Sequence, residues 1–301
     1  MQKTIYRRHF LITSGAIGLG IGMIGKGTGN LLGGEAPAGA PNAEKLGWRL
    51  GCQAWTFNRF TFFEAIDKVA SLGLKYIEAF PNQKLSKDRE EMFVNELLPA
   101  DARKDIKTKL NDCGIKLVNY GVCKLSEKKD DSRRVFDFAK DMGIETLVSE
   151  PPEEILEMLD NLCGEYGINI AIHNHPEPTH YWNPDTVLKA CQGRSKHIGA
   201  CADTGHWVRS DLNPVDSLKK LQGRVICLHF KDLNQQGKEA HDVPWGTGVC
   251  DVKAMLLEIH RHAIRPVFSV EYEYNWDNSL PEVAQCVAYF DKVAAEIGAK
   301  S

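Results

Sequence analysis

GACADTGH, residues 199–206, runs from four small or apolar residues straight into an aspartate, a turn and a histidine. The first part reads as a buried strand. Asp203 and His206 then stand at its end, where they either bind something or serve only as a helix cap and a loop histidine. The rest of the chain has to decide between these.

Seven more short apolar runs have the same character: 49–55, 74–80, 115–121, 144–150, 168–174, 224–230 and 266–272, with 197–203 as the sixth strand in order. Helix-like stretches follow them at 62–72, 101–113, 131–142, 153–166, 184–191, 214–222, 251–263 and 281–298. Gly73, Gly114, Gly143, Gly167 and Gly223 each stand just before a strand, as helix C-cap glycines do. Eight βα units predict an α/β protein with one domain, a (β/α)8 TIM barrel over 48–301. A doubly wound sheet competes, but no GxGxxG follows the first strand.

Side chains alternate along a strand, so residues i and i+2 share a face. With the bulky aliphatics turned toward helices, strand five presents Ala171, His173 and His175 inward, and strand six Gly199, Cys201 and Asp203. Strand seven presents Cys227, His229 and Lys231, and strand eight Ser269, Glu271 and Glu273. Strand four aims Thr146, Val148 and Glu150 the same way, strand two Glu78, and strand one Gln53 and Trp55. In such barrels the chemistry sits at the C-terminal strand ends. Five consecutive strands thus deliver a carboxylate or imidazole to one mouth, a costly burial without a partner. One divalent metal ion (Mn, Mg, Co or Zn) is the partner these oxygen and nitrogen donors suit.

The ends and the composition set the context. Arg7 and Arg8, an uncharged stretch of 15 residues and Ala36-Pro37-Ala38 make residues 1–38 an expected export signal of twin-arginine type, which implies the twin-arginine export machinery as a partner and a periplasmic location. If uncleaved, the segment is a membrane anchor instead. Residues 39–47 read as an N-terminal linker. The chain carries a net charge of −3; residues 1–38 hold four basic residues and one acidic, leaving the remainder near −6. That balance opposes a nucleic-acid surface. Nine cysteines without a CxxC pair read as buried thiols, not a disulfide framework. A homo-oligomer stays open.

DTGH after strand six, HFKD after strand seven and VEYE after strand eight, in this strand order, resemble the xylose-isomerase-like superfamily of sugar isomerases and epimerases. It includes ketose epimerases, inosose dehydratases and the endonuclease IV barrels of the AP-endonuclease family 2 group. The resemblance covers about residues 48–298. It implies a metal at Asp203, His229 and Glu271 and a substrate contact at His206. Ketose epimerases place a metal-binding glutamate at the end of strand five, where this chain has His173 in AIHNH. Glu150 is therefore expected as the fourth ligand and His173 as a spare ligand or base. Similar HNH sequences occur in the inosose-dehydratase-like branch.

The resemblance implies a sugar or keto-sugar substrate and an isomerase, epimerase or dehydratase that abstracts a proton beside a metal-polarised carbonyl. His173 or Glu271 is the expected base, and Lys231 and His206 stabilise an enediolate or hold hydroxyls. His175, Trp245 and Glu273 are expected to contact substrate, with Tyr181 and Trp182 as further pocket walls. Each has a plainer alternative: His175 orients a neighbour, Lys231 pairs structurally with Glu271 or Asp232, Glu273 sits at the rim, and loop aromatics simply pack. The turn Gly246-Thr247-Gly248 is a weak phosphate site, so a non-phosphorylated substrate is favoured. A metal phosphodiesterase, drawing extra ligands from His173, His175, His206 and His241, and a non-catalytic sugar-binding barrel are the rival functions.

Overall fold

The computed structural model describes residues 39–300, so the expected export signal lies outside the described residues. The strands are β1 (Arg49–Gln53), β2 (Tyr76–Ala79), β3 (Lys84–Ser86), β4 (Arg89–Phe93), β5 (Lys116–Cys123), β6 (Thr146–Ser149), β7 (Asn169–His173), β8 (Ile198–Asp203), β9 (Val225–Phe230) and β10 (Val267–Val270). Eight of them close a parallel barrel in the order β1-β2-β5-β6-β7-β8-β9-β10, with β10 returning to β1. Helices fill the connections, which makes this one TIM barrel. The antiparallel hairpin β3–β4 follows β2 and has no counterpart in the apolar pattern of the sequence.

Local chemistry explains the helix ends. Thr61 and Glu64 form a reciprocal capping box on the helix Phe62–Ser71. All five glycines read as C-caps have positive φ. Residues 39–47 are less of a linker than their composition implies. They carry the helix Pro41–Lys45, in which Ala43 is fully buried, and Asn42 bonds to Asp291 of the C-terminal helix Leu280–Gly298.

Outward side chains such as Ile170, Ile172, Ala202, Leu228, Phe230 and Phe268 join the main core against the helices. A second cluster of Val118, Val148, Ala171, Cys201, Cys227 and Val267 fills the barrel interior. Two residues further along β7, β8 and β9, on the same face, come His173, Asp203 and His229. The apolar interior is thus the floor of a polar layer. No described helix is long and apolar enough to cross a membrane.

Candidate metal centre

Asp203 ends β8 and divides its two oxygens between two tasks. Oδ1 accepts the backbone N–H of His206 at 2.8 Å and so caps the helix Thr204–Arg209. Oδ2 is buried and faces the Lys231 ammonium at 2.9 Å, with His173 Nε2 and His206 Nε2 at 3.6 and 3.5 Å. The helix is tight against its neighbour: a Cβ on Gly205 would lie 2.8 Å from the Lys231 stem, so the glycine of DTGH makes room for that lysine. Just past β7, Asn174 staples that strand's end to β8. Its amide donates to the Asp203 carbonyl at 3.0 Å and accepts the Asp203 N–H at 2.9 Å. The middle residue of HNH therefore sets where His173 and Asp203 meet.

His173, Asp203, His229 and Glu271 bring one ligand atom each to within 4.8 Å of one another. His173 Nε2 lies 3.6 Å from Asp203 Oδ2, and His229 Nδ1 lies 3.1 Å from Glu271 Oε2. Both nitrogens are buried without a hydrogen bond of good geometry. The opposite nitrogen of each ring is held by a carboxylate: His173 Nδ1 by Glu150 at 3.0 Å, His229 Nε2 by Glu78 at 2.9 Å. Orphaned donors facing one point, on rings oriented from behind by carboxylates, are what a divalent cation requires. The residues present fit such an ion.

Glu150 lies outside this group of four and forms a second metal-competent group with His173 and His175. It takes the outer position, accepting from His173 Nδ1, from the His175 backbone N–H at 3.2 Å and from His175 Nδ1. Burial opposes its ionisation, but the two histidines hold its carboxyl down at about 2. In the group of four His173 stands in that fourth place, its Nε2 facing Asp203 and its Nδ1 facing Glu150. Glu78 was legible only as an inward carboxylate on β2; it also accepts from Gln53, Asn119 and Ser269, a fully bonded seat for His229.

Lys231 is fully buried, with Nζ 2.9 Å from Asp203, 2.8 Å from Glu271 and 2.7 Å from Glu273. Paired with all three carboxylates, it balances their charge. Burial opposes charge on all of these groups, and the neighbours overcome it. His206, Lys231 and His173 hold Asp203 well below the usual carboxyl range, and His229 and Lys231 do the same to Glu271. Glu271 and Glu78 raise His229 well above an ordinary histidine, and Asp203 and Glu150 raise His173. His206 goes the other way: burial pushes it well below its ordinary value, and the Lys231 charge adds to this.

Above this layer opens a cavity of about 420 Å³. His173, His175, His206, Glu271 and Glu273 form one side, Trp55, Phe80, Pro81 and Val122 the other, with Gln53 and Asn82 between. Trp55 packs edge-on to Phe80 and Trp276 and donates its indole N–H to Glu273 at 3.1 Å. His206 and Glu273 thus stand in the cavity as expected.

Other expected walls do not. Trp245 is 2% exposed and packs on Phe230 and Phe290, because its loop folds back over the outside of the barrel. Tyr181 is buried, its hydroxyl on the Pro151 carbonyl. The Gly246–Gly248 turn is no phosphate cradle: the Gly246 and Gly248 N–H groups both donate to Asp232 Oδ2. His241 stacks on Tyr274 and joins neither of the metal-competent groups among the described residues. Arg209 and Asp242, which nothing in the sequence singled out, form a buried pair behind His206 at 3.0 Å.

The comparisons agree with this architecture. A structure of an uncharacterised protein from Parabacteroides distasonis is 32% identical, with a TM-score of 0.68 over 82% of this chain and 99% of that one. A D-tagatose 3-epimerase-like protein is 16% identical, with a TM-score of 0.65 over 83% and 99%. A xylose isomerase-like TIM barrel protein from Mycobacterium smegmatis, in complex with magnesium, is 14% identical, with a TM-score of 0.65 over 83% and 97%. No curated protein sequence matches. The model of one family, xylose isomerase-like TIM barrel, matches residues 66–291, and the chain belongs to that family.

Proposed function

We propose that this chain is a metal-dependent carbon-acid enzyme acting on a non-phosphorylated sugar or keto sugar, as an isomerase, epimerase or dehydratase. The observation that carries this reading is the single cavity with the four-donor cluster at its base, acid–base groups on one wall and aromatic rings on the other. An apolar wall facing a polar one suits a sugar ring, which has apolar faces and a hydroxylated edge. The epimerase-like neighbour and the magnesium-bound one support the same class. The inosose-dehydratase-like HNH branch is the lineage this reading favours.

A divalent cation held by His173, Asp203, His229 and Glu271 would polarise a substrate oxygen and acidify the adjoining C–H. The chain's own groups do the rest. Glu271 is a weak base here, because Lys231 and His229 hold its carboxyl low and its Oε2 lies between them. His175 is better placed: Glu150 holds its Nδ1, and the ring lines the cavity with Nε2 left for proton transfer. His206, its ring 5.2 Å from that of His175, meets a substrate oxygen on the same wall, and Trp55 supports the sugar ring. The reading of residues 1–38 as an export signal puts this chemistry in the periplasm, which cell fractionation tests.

Metal-loaded protein mixed with a panel of keto sugars in D₂O is the direct test. Solvent deuterium should enter substrate or product at the carbon next to the carbonyl, and a His175→Gln variant should lose the exchange. A broad panel without any exchange would sink the reading.

A further inference from the structure

Arg209 occupies the last turn of the short helix that carries His206, one turn on, and its side chain folds back behind that ring. Its guanidinium is tied down on several sides. One terminal nitrogen donates to Asp242 Oδ2 at 3.0 Å; the other lies 3.1 Å from both Glu273 Oε2 and His206 Nδ1. Nε adds a contact to the Ala240 carbonyl at 3.4 Å. The side chain is 12% exposed.

A guanidinium has only donors and stays charged. The imidazole nitrogen facing it must therefore accept, so the ring proton sits on the other nitrogen. That nitrogen, His206 Nε2, is 3.5 Å from Asp203 Oδ2, on the metal-centre side of the ring. His206 lines the cavity. We propose that Arg209 is a positioning residue which fixes His206 in the Nε2-protonated tautomer, making it a hydrogen-bond donor to a substrate oxygen and barring it from accepting a proton there. The same guanidinium shares Glu273 with Lys231 and Trp55, so the donor, the buried cation and the aromatic wall are braced by one carboxylate. The assignment rests on the cavity being the substrate site, but the tautomer itself does not depend on any reaction.

Nitrogen-15 spectra of histidine-labelled, metal-loaded protein test it, with His206→Gln identifying the signal. The wild-type ring should show an unprotonated Nδ1 and a protonated Nε2. Arg209→Met should release that pattern, moving the proton to Nδ1 or mixing the two forms, while the signals of His173 and His229 and the metal content stay put. Arg209→Lys, which restores a donor-only cation, should recover it. On a reactive sugar, Arg209→Met should lower kcat on the order of 10-fold, in the range for groups that orient a site histidine. A wild-type His206 protonated on Nδ1, or a tautomer unmoved in folded Arg209→Met, overturns the proposal. Absence of turnover with the expected spectra would count against the sugar reading alone.

Discussion

Asp203 shows how one residue satisfies two readings at once. As a cap it needs only an acceptor, and as a ligand it needs a charge; Oδ1 and Oδ2 divide these. Asp203→Asn should therefore keep the helix cap yet lose metal, whereas Asp203→Ala should lose metal and a further ~1 kcal/mol of stability. Metal analysis with denaturant unfolding separates the two, and wild-type metal content in the Asn variant would refute the division. Lys231 is the second test at this scale. Lys231→Met leaves Asp203, Glu271 and Glu273 facing one another without their buried cation, a loss of about 3–5 kcal/mol. An unchanged urea midpoint in metal-free protein would contradict that role.

At the scale of elements, the strands were legible and their mutual placement was not. Short apolar runs, five of them just after a C-cap glycine, located all eight barrel strands, and alternation put His173, Asp203, His229 and Glu271 on the inner face. Which side chains meet across the mouth depends on barrel stagger, so alternation alone did not show that His173, and not Glu150, joins Asp203, His229 and Glu271 in one group. The hairpin β3–β4 escaped because Lys84–Ser86 and Arg89–Phe93 are short and largely polar. DTGH hid a helix because Thr204–Arg209 is six residues long and contains a glycine. Trp245 looked like a pocket wall because a sequence does not say which way a loop folds. Trp245→Ala should cost about 3–5 kcal/mol in unfolding and leave KM unchanged. Trp55→Ala should do the reverse, raising KM with little change in Tm; steady-state kinetics and thermal melts on the pair decide.

The molecule as a whole is a barrel whose apolar interior supports a charged layer, and that layer answers to pH. In metal-free protein His173 and His229 have raised pKa values, so each binds a proton more tightly folded than unfolded. Their contribution to stability is present below the unfolded value, about 6.5, and is lost as pH rises through the higher folded values. Metal binding runs the other way, since it needs the bare nitrogens. Affinity should rise with pH through the same window, and binding near pH 7 should release protons. Calorimetry in buffers of different ionisation enthalpy measures the release; proton uptake would contradict the ligand assignment.

The central claim is the identity of the four donors. Anomalous diffraction from crystals soaked in Mn²⁺ tests it most directly. The account predicts one peak per chain, bounded by His173 Nε2, Asp203 Oδ2, His229 Nδ1 and a Glu271 oxygen, with Glu150 outside it on His173 Nδ1. A peak coordinated by Glu150 and His175, or no peak within reach of these four side chains, would contradict it.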